Sequence, residues 1–154
     1  LKLFLWHTLS AKRIKSTHLG AEIDLDIFAI HAQIPPHYMA WCLDDTFSSK
    51  FQRQDDTFSV FLSKITESKH VEYYFEGSES VCEMWLVENK GSGGVLYSGK
   101  PTPDYWLLLR AADELGGTDE WIDGLKTIQS IQMSYIFPIE KHAKLTWLRA
   151  LSHL

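Results

Sequence analysis

Polar and apolar residues alternate at the start of "AEIDLDIFAIHAQ" (residues 21–33), and the alternation then stops. Ile23, Leu25, Ile27 and Ala29 share one face, and Glu22, Asp24 and Asp26 share the other. From Ile27 to Ile30 both faces are apolar, which predicts a strand whose second half is buried on two sides. "IPPHYMAWCLDDTF" then opens a helix, because Pro35 and Pro36 suit an entry where no amide partner is needed. Met39, Cys42 and Leu43 repeat at helical spacing, with Phe47 one turn on, and "SSKFQRQDD" reads as a polar connection. Three alternating segments follow: Phe58, Val60 and Leu62 on one face of the first, Val71, Tyr73 and Phe75 in the second, Cys82, Met84 and Leu86 in the third. His70, Glu72 and Tyr74 fall on the opposite face of the second segment. Short polar turns separate the three, as in an antiparallel meander.

"DYWLLLR" is again apolar on both faces from Tyr105 to Leu109. "AADELGGTD" reads as a loop ending in Thr118 as helix N-cap, with Asp119 and Glu120 in the first turn. Trp121, Ile122, Leu125 and Ile128 then share a helical face, "QMSYIFPI" is a last strand, and "KHAKLTWLRALSHL" is a helix or a ragged end. The two strands apolar on both sides each immediately precede a helix. In a ferredoxin-like split β-α-β arrangement the strands feeding the helices are the central pair. The expected fold is therefore α+β: a ferredoxin-like antiparallel sheet with an extra β-hairpin and two helices on one face.

Length bounds the organisation: 154 residues suffice for one core. Residues 1–20 read as a basic appendage, 21–148 as a single α+β domain and 149–154 as a tail. The formal net charge is −5, and residues 1–20 hold Lys2, Lys12, Arg13 and Lys15 with no carboxylate, which leaves −9 on the rest. An acidic body disfavours nucleic acid and anionic membrane as partners. The first residues lack the order of a signal peptide and their apolar run is too short to span a bilayer, so the expected location is the cytoplasm. Cys42 and Cys82 have no metal-ligand spacing.

The candidate chemistry is thin. Gly94, Gly99 and Lys100 fit the spacing of a phosphate loop, but Pro101 replaces the magnesium-ligating hydroxyl and a strand follows instead of a helix. Acidic pairs Asp44/Asp45 and Asp55/Asp56, and the face of Glu22, Asp24 and Asp26, lack a glycine-bearing calcium loop and read as solvated charge. His31 and His37 bracket the first strand–helix loop with Cys42 one turn into the helix, the ingredients of a thiol nucleophile and base. Cys42 lies on the apolar helical face, which favours an inert thiol. No cofactor or metal site is expected, and the basic-glycine-aromatic pattern of RNA-binding sheets is absent.

Two regions together, "IDLDIFAIHAQIPPHYMAWCL" and "PTPDYWLLLR…LKTIQSIQMSYIF", resemble the bacterial family named for its IPExxxVDY motif, over about Glu22 to Leu148. Asp104 and Tyr105 match the end of that motif; Pro103 takes the valine position, and Tyr97, Ser98 and Gly99 take the Ile-Pro-Glu positions. The resemblance implies a divergent relative and brings no established activity.

These readings converge on a small non-enzymatic interaction or regulatory module. A small-ligand sensor is the alternative, and an enzyme using the His31/His37 loop a further one. With helices on one side only, the other side of the sheet would carry a bare apolar patch of Phe28, Ile30, Trp106 and Leu108. A second copy forming a homodimer, another protein, or the tail "KLTWLRAL" would cover it; self-association needs only one self-complementary patch.

Overall fold

A computed structural model describes residues 25–77, 82–110, 117–142 and 147. β1 (Asp26–His31) is followed by α1 (Pro36–Phe47) and the short β2 (Gln52–Arg53). β3 (Phe58–Phe61), β4 (Glu67–His70), β5 (Glu72–Glu76) and β6 (Glu83–Glu88) come next. β7 (Lys90–Gly91) and β8 (Gly94–Val95) precede β9 (Tyr105–Arg110), α2 (Thr118–Thr127) and β10 (Met133–Ile136). A short 3-10 turn, Ile139–His142, closes the described run. The main sheet has the order β10-β1-β9-β6-β5-β2, and its ladders are antiparallel. The chain is thus α+β, with β1 and β9 adjacent in the sheet interior, where strands apolar on both faces belong. No helix among the described residues is long and apolar enough to cross a membrane.

Both helices lie on one face. Met39 and Leu43 of α1 and Trp121 and Leu125 of α2 pack against Phe28, Ile30, Leu86, Tyr105, Leu107 and Leu109. α1 starts at Pro35 as its cap, without a side-chain hydrogen bond, and stops where Ser48 takes a left-handed conformation at φ 54°. One Asp44 oxygen accepts both the Ser49 hydroxyl and the Phe51 amide at 2.9 Å, turning the chain toward β2. Asp44 is thus a structural carboxylate, while Asp45, Asp55 and Asp56 are exposed. α2 is capped by Gly117, one residue earlier than expected, so Thr118 is its first residue rather than its cap. Phe47 stacks on Trp121 at 4.0 Å, and Gly124 makes room: a Cβ there would lie 2.5 Å from the Phe47 ring.

The meander differs from expectation. Only β5 and β6 join the main sheet; β3 and β4 form a separate hairpin. Along β3 Phe58 and Val60 are buried while Ser59 and Phe61 are exposed, so the hairpin has one apolar face to bury. It buries that face with Ile27, Ala29, Trp85, Val87, Trp106 and Leu108, on the side of the sheet away from the helices. Leu96, Phe137 and Trp147 complete this second core. The polar connection also contains β2, which the pattern of residues 48–56 does not announce.

The expected bare patch is therefore corrected. Directly paired residues share a face, and Phe28 pairs with Leu107, Ile30 with Tyr105, Ala29 with Trp106 and Ile27 with Leu108. Phe28 and Ile30 accordingly lie on the helix side, Trp106 and Leu108 on the other, and all four are 0% exposed. The expectations for residues 1–24, 78–81, 111–116, 143–146 and 148–154 lie outside the described residues. Trp147, from the tail segment expected as one of three covers, packs on Trp106 with ring centres 4.6 Å apart and planes tilted by 38°.

Leu107 sits at the centre of the helix-side core. Leu107→Ala should cost about 2–5 kcal/mol in chemical denaturation, the range for a cavity in a rigid core. A loss below about 0.5 kcal/mol, typical of surface positions, would mean that β9 is not interior.

Candidate functional site

At the C-terminal end of β6 the chain leaves the sheet at Asn89, which is 1% exposed. Its side-chain amide donates to the carbonyls of Tyr97 and Pro103 at 2.9 and 2.8 Å. Its oxygen accepts the Tyr97 amide at 3.0 Å and the Trp106 indole N–H at 2.9 Å. That fills the donor and acceptor capacity of an asparagine. Its backbone N–H donates to the Asp104 carbonyl and its own carbonyl accepts the Leu96 amide. Asn89 thereby ties the whole 96–104 loop to the sheet and orients the indole beneath it.

The loop in turn grips the β1–α1 connection. The Asp104 carboxylate accepts the Ala32 amide at 2.9 Å, and its backbone N–H donates to the Ile30 carbonyl. The Tyr105 hydroxyl donates to the Ile34 carbonyl, just before the prolines that open α1. Burial pushes the Tyr105 phenol well above its ordinary value, with the Glu88 and Asp104 charges adding to it, so it remains a donor. Between these two loops lies an open cleft of about 450 Å³, bordered by Gln33, Ile34, Glu88, Lys90, Thr102 and Asp104. Burial also raises the Glu88 carboxyl, which Lys90 and then Arg53 partly offset. Lys100, the lysine of the near phosphate loop, is exposed, and β9 rather than a helix follows.

The histidine and cysteine candidates are not brought together. His31 is buried, stacked on Tyr135 at 5.7 Å, with its Nε2 lacking a hydrogen-bond partner. His37 is exposed on the first turn of α1. Cys42 is buried in the helix-side core, and burial, with Asp45 nearby, raises its thiol. A raised, buried thiol is a poor nucleophile. No group of three or more metal-ligating side chains occurs among the described residues.

Three features escape the sequence pattern. His70, read by alternation into one strand with Val71 to Phe75, instead ends β4, while β5 belongs to another sheet, and it is fully buried. Its Nδ1–H donates to the Glu88 carbonyl at 2.9 Å, so in the neutral ring Nε2 accepts the Ser68 hydroxyl at 2.7 Å. Gly91 lies against this ring: a Cβ would fall 2.7 Å from Nδ1. Tyr38 and Trp41 are exposed and stack on each other at 5.5 Å on the outer face of α1. Their i, i+3 spacing, with Tyr38 flanking and Trp41 turned away from the Met39, Cys42 and Leu43 stripe, was the available signal. Asn89 gave none; a single asparagine after a strand is common in turns.

No family model, curated protein or solved structure matches this chain.

Burial lowers His70 below the ordinary 6.5, opposed by its bond to the Glu88 backbone. It lowers His31 likewise, opposed by Asp104 and the Thr102 backbone. At these two side chains the unfolded state therefore binds more protons than the folded one below about pH 6.5, and the stability they contribute falls as pH drops through that value. Denaturation at pH 7.5 and pH 6 should show this loss, and His70→Asn should reduce the difference between the two conditions. An unchanged difference in the variant would show that His70 does not carry it.

Proposed function

We propose that this chain is a non-enzymatic interaction module that presents the outer face of α1 to another protein. The observation that carries this reading is the Tyr38–Trp41 pair, 41% and 56% exposed with rings 14° from parallel. Large amphipathic aromatics of this kind are enriched at interfaces and carry much of their energy. The pair stands out because the other large aromatics of the helix layer, Phe47 and Trp121, are turned inward onto each other. On this reading the fold is an elaborated ferredoxin-like split β-α-β. The strand order β10-β1-β9-β6, with a helix after β1 and after β9, supports it. The chain is then a divergent relative of the IPExxxVDY family, in which the Asp-Tyr pair pins the turn ahead of α1 independently of the missing tripeptide. A cytoplasmic setting suits its two buried, unpaired cysteines.

A second reading, a small-ligand sensor, draws support from the cleft beside Asp104. Native mass spectrometry of the purified protein separates the two, since a retained small molecule favours the sensor.

The interaction reading is tested with a Tyr38→Ser, Trp41→Ser double variant. Both residues are exposed, so melting temperature and circular dichroism should be unchanged. Affinity capture by the wild type should enrich a partner that the variant retains about tenfold less, the loss of ~1.4 kcal/mol. Equal capture by both proteins would contradict the reading.

A further inference from the structure

The face expected to support self-association is covered, but among the described residues one sheet edge carries neither charge nor proline. β10 ends the strand order, with β1 as its neighbour among the described residues. The opposite edge, β2, is two residues long and carries Arg53. Sheet edges are normally protected by charge, proline, bulges or shortness. The stretch from Ile131 to Phe137 has no charged residue and no proline, and Met133 and Ile136 are 40% and 45% exposed.

The backbone fixes which groups face outward. The Phe137 amide donates to the Ile27 carbonyl, and Tyr135 and Met133 pair with Ala29 and His31. Antiparallel strands alternate their hydrogen-bonding direction. Met133, Tyr135 and Phe137 therefore point their backbone groups at β1, and Ser134 and Ile136 point theirs away.

We infer that β10 pairs antiparallel with β10 of a second copy of this chain, making one continuous sheet across a twofold axis. Such an axis, perpendicular to the sheet, keeps the two faces in register and so passes through a residue rather than between two. Centred on Tyr135, it pairs Ser134 of each copy with Ile136 of the other. Every outward N–H and C=O of these two residues then gains a partner, and Ile136 is covered. Charge selects the same place: the chain carries a net −5, so two copies meet most readily along a stretch without carboxylates. This interface is separate from the α1 surface.

Sedimentation of the full chain over a range of concentrations tests the inference. The wild type should show a monomer–dimer equilibrium. Ser134→Pro should raise the dimer dissociation constant at least tenfold: the amide it removes points away from β1, a position where an edge strand tolerates proline. Ile136→Lys, which adds an edge charge without touching the backbone, should do the same. Circular dichroism establishes that each variant is folded, and where Ser134→Pro unfolds, Ile136→Lys decides. A wild type monomeric at its highest soluble concentration, or a dimer unaffected in a folded Ile136→Lys, would overturn the inference. The Tyr38→Ser, Trp41→Ser variant should dimerise normally, so failure here is distinguishable from failure of the α1 reading.

Discussion

The rest of the structure follows from one constraint: the two interior strands, β1 and β9, are apolar on both faces. Leu107 and Trp106 are adjacent in sequence and face opposite ways, and both are wholly buried. A sheet with such strands has to be covered twice, because exposing either face would leave large apolar area in water. The helices meet half of that requirement. The chain meets the other half with an amphipathic hairpin, the 96–104 loop, Phe137 and Trp147, the last of these in helical conformation.

Covering a sheet with a loop has a cost that helices avoid, since its backbone polar groups lose water and need partners. Asn89 supplies several at once, donating to two loop carbonyls and accepting one loop amide. The same side chain accepts the Trp106 indole N–H, so it also satisfies one of the three tryptophans in the second core, whereas the Trp147 indole nitrogen is buried without a partner among the described residues. Asp104 and Tyr105 extend the arrangement to the other side of the sheet by holding Ala32 and Ile34 ahead of α1. The glycine-rich run that imitates a phosphate loop is explained without a nucleotide: Gly94 lies in β8, and the rest spans the second face toward β9.

Much of this was legible in the sequence. The two-sided apolar runs at 27–30 and 105–109 placed β1 and β9 inside the sheet, and the helical spacing of Met39, Cys42 and Leu43 gave the buried side of α1. The covering of the second face was not legible, because alternation in "TFSVFLSKI" reports one apolar side without saying which sheet owns it. His70 was grouped with Glu72 and Tyr74 in one strand for the same reason: period-two alternation runs through the break between β4 and β5, which belong to different sheets. Phe28 and Ile30 were put on the same side as Trp106 and Leu108, an assignment that only the pairing register decides. The spacing of Tyr38 and Trp41 against the Met39, Cys42 and Leu43 stripe hinted at exposure, but how far the fold leaves each ring uncovered is set by the packing of other elements.

The central claim, that the chain covers its own second face, is tested most directly by comparing two tryptophans. Trp147 is 1% exposed against Trp106, and Trp41 is 56% exposed on α1. In equilibrium denaturation under conditions where each protein is monomeric, Trp147→Ala should lose about 3–5 kcal/mol. Trp41→Ala should stay within about 0.5 kcal/mol of the wild type. A Trp147→Ala protein as stable as the wild type would contradict the account.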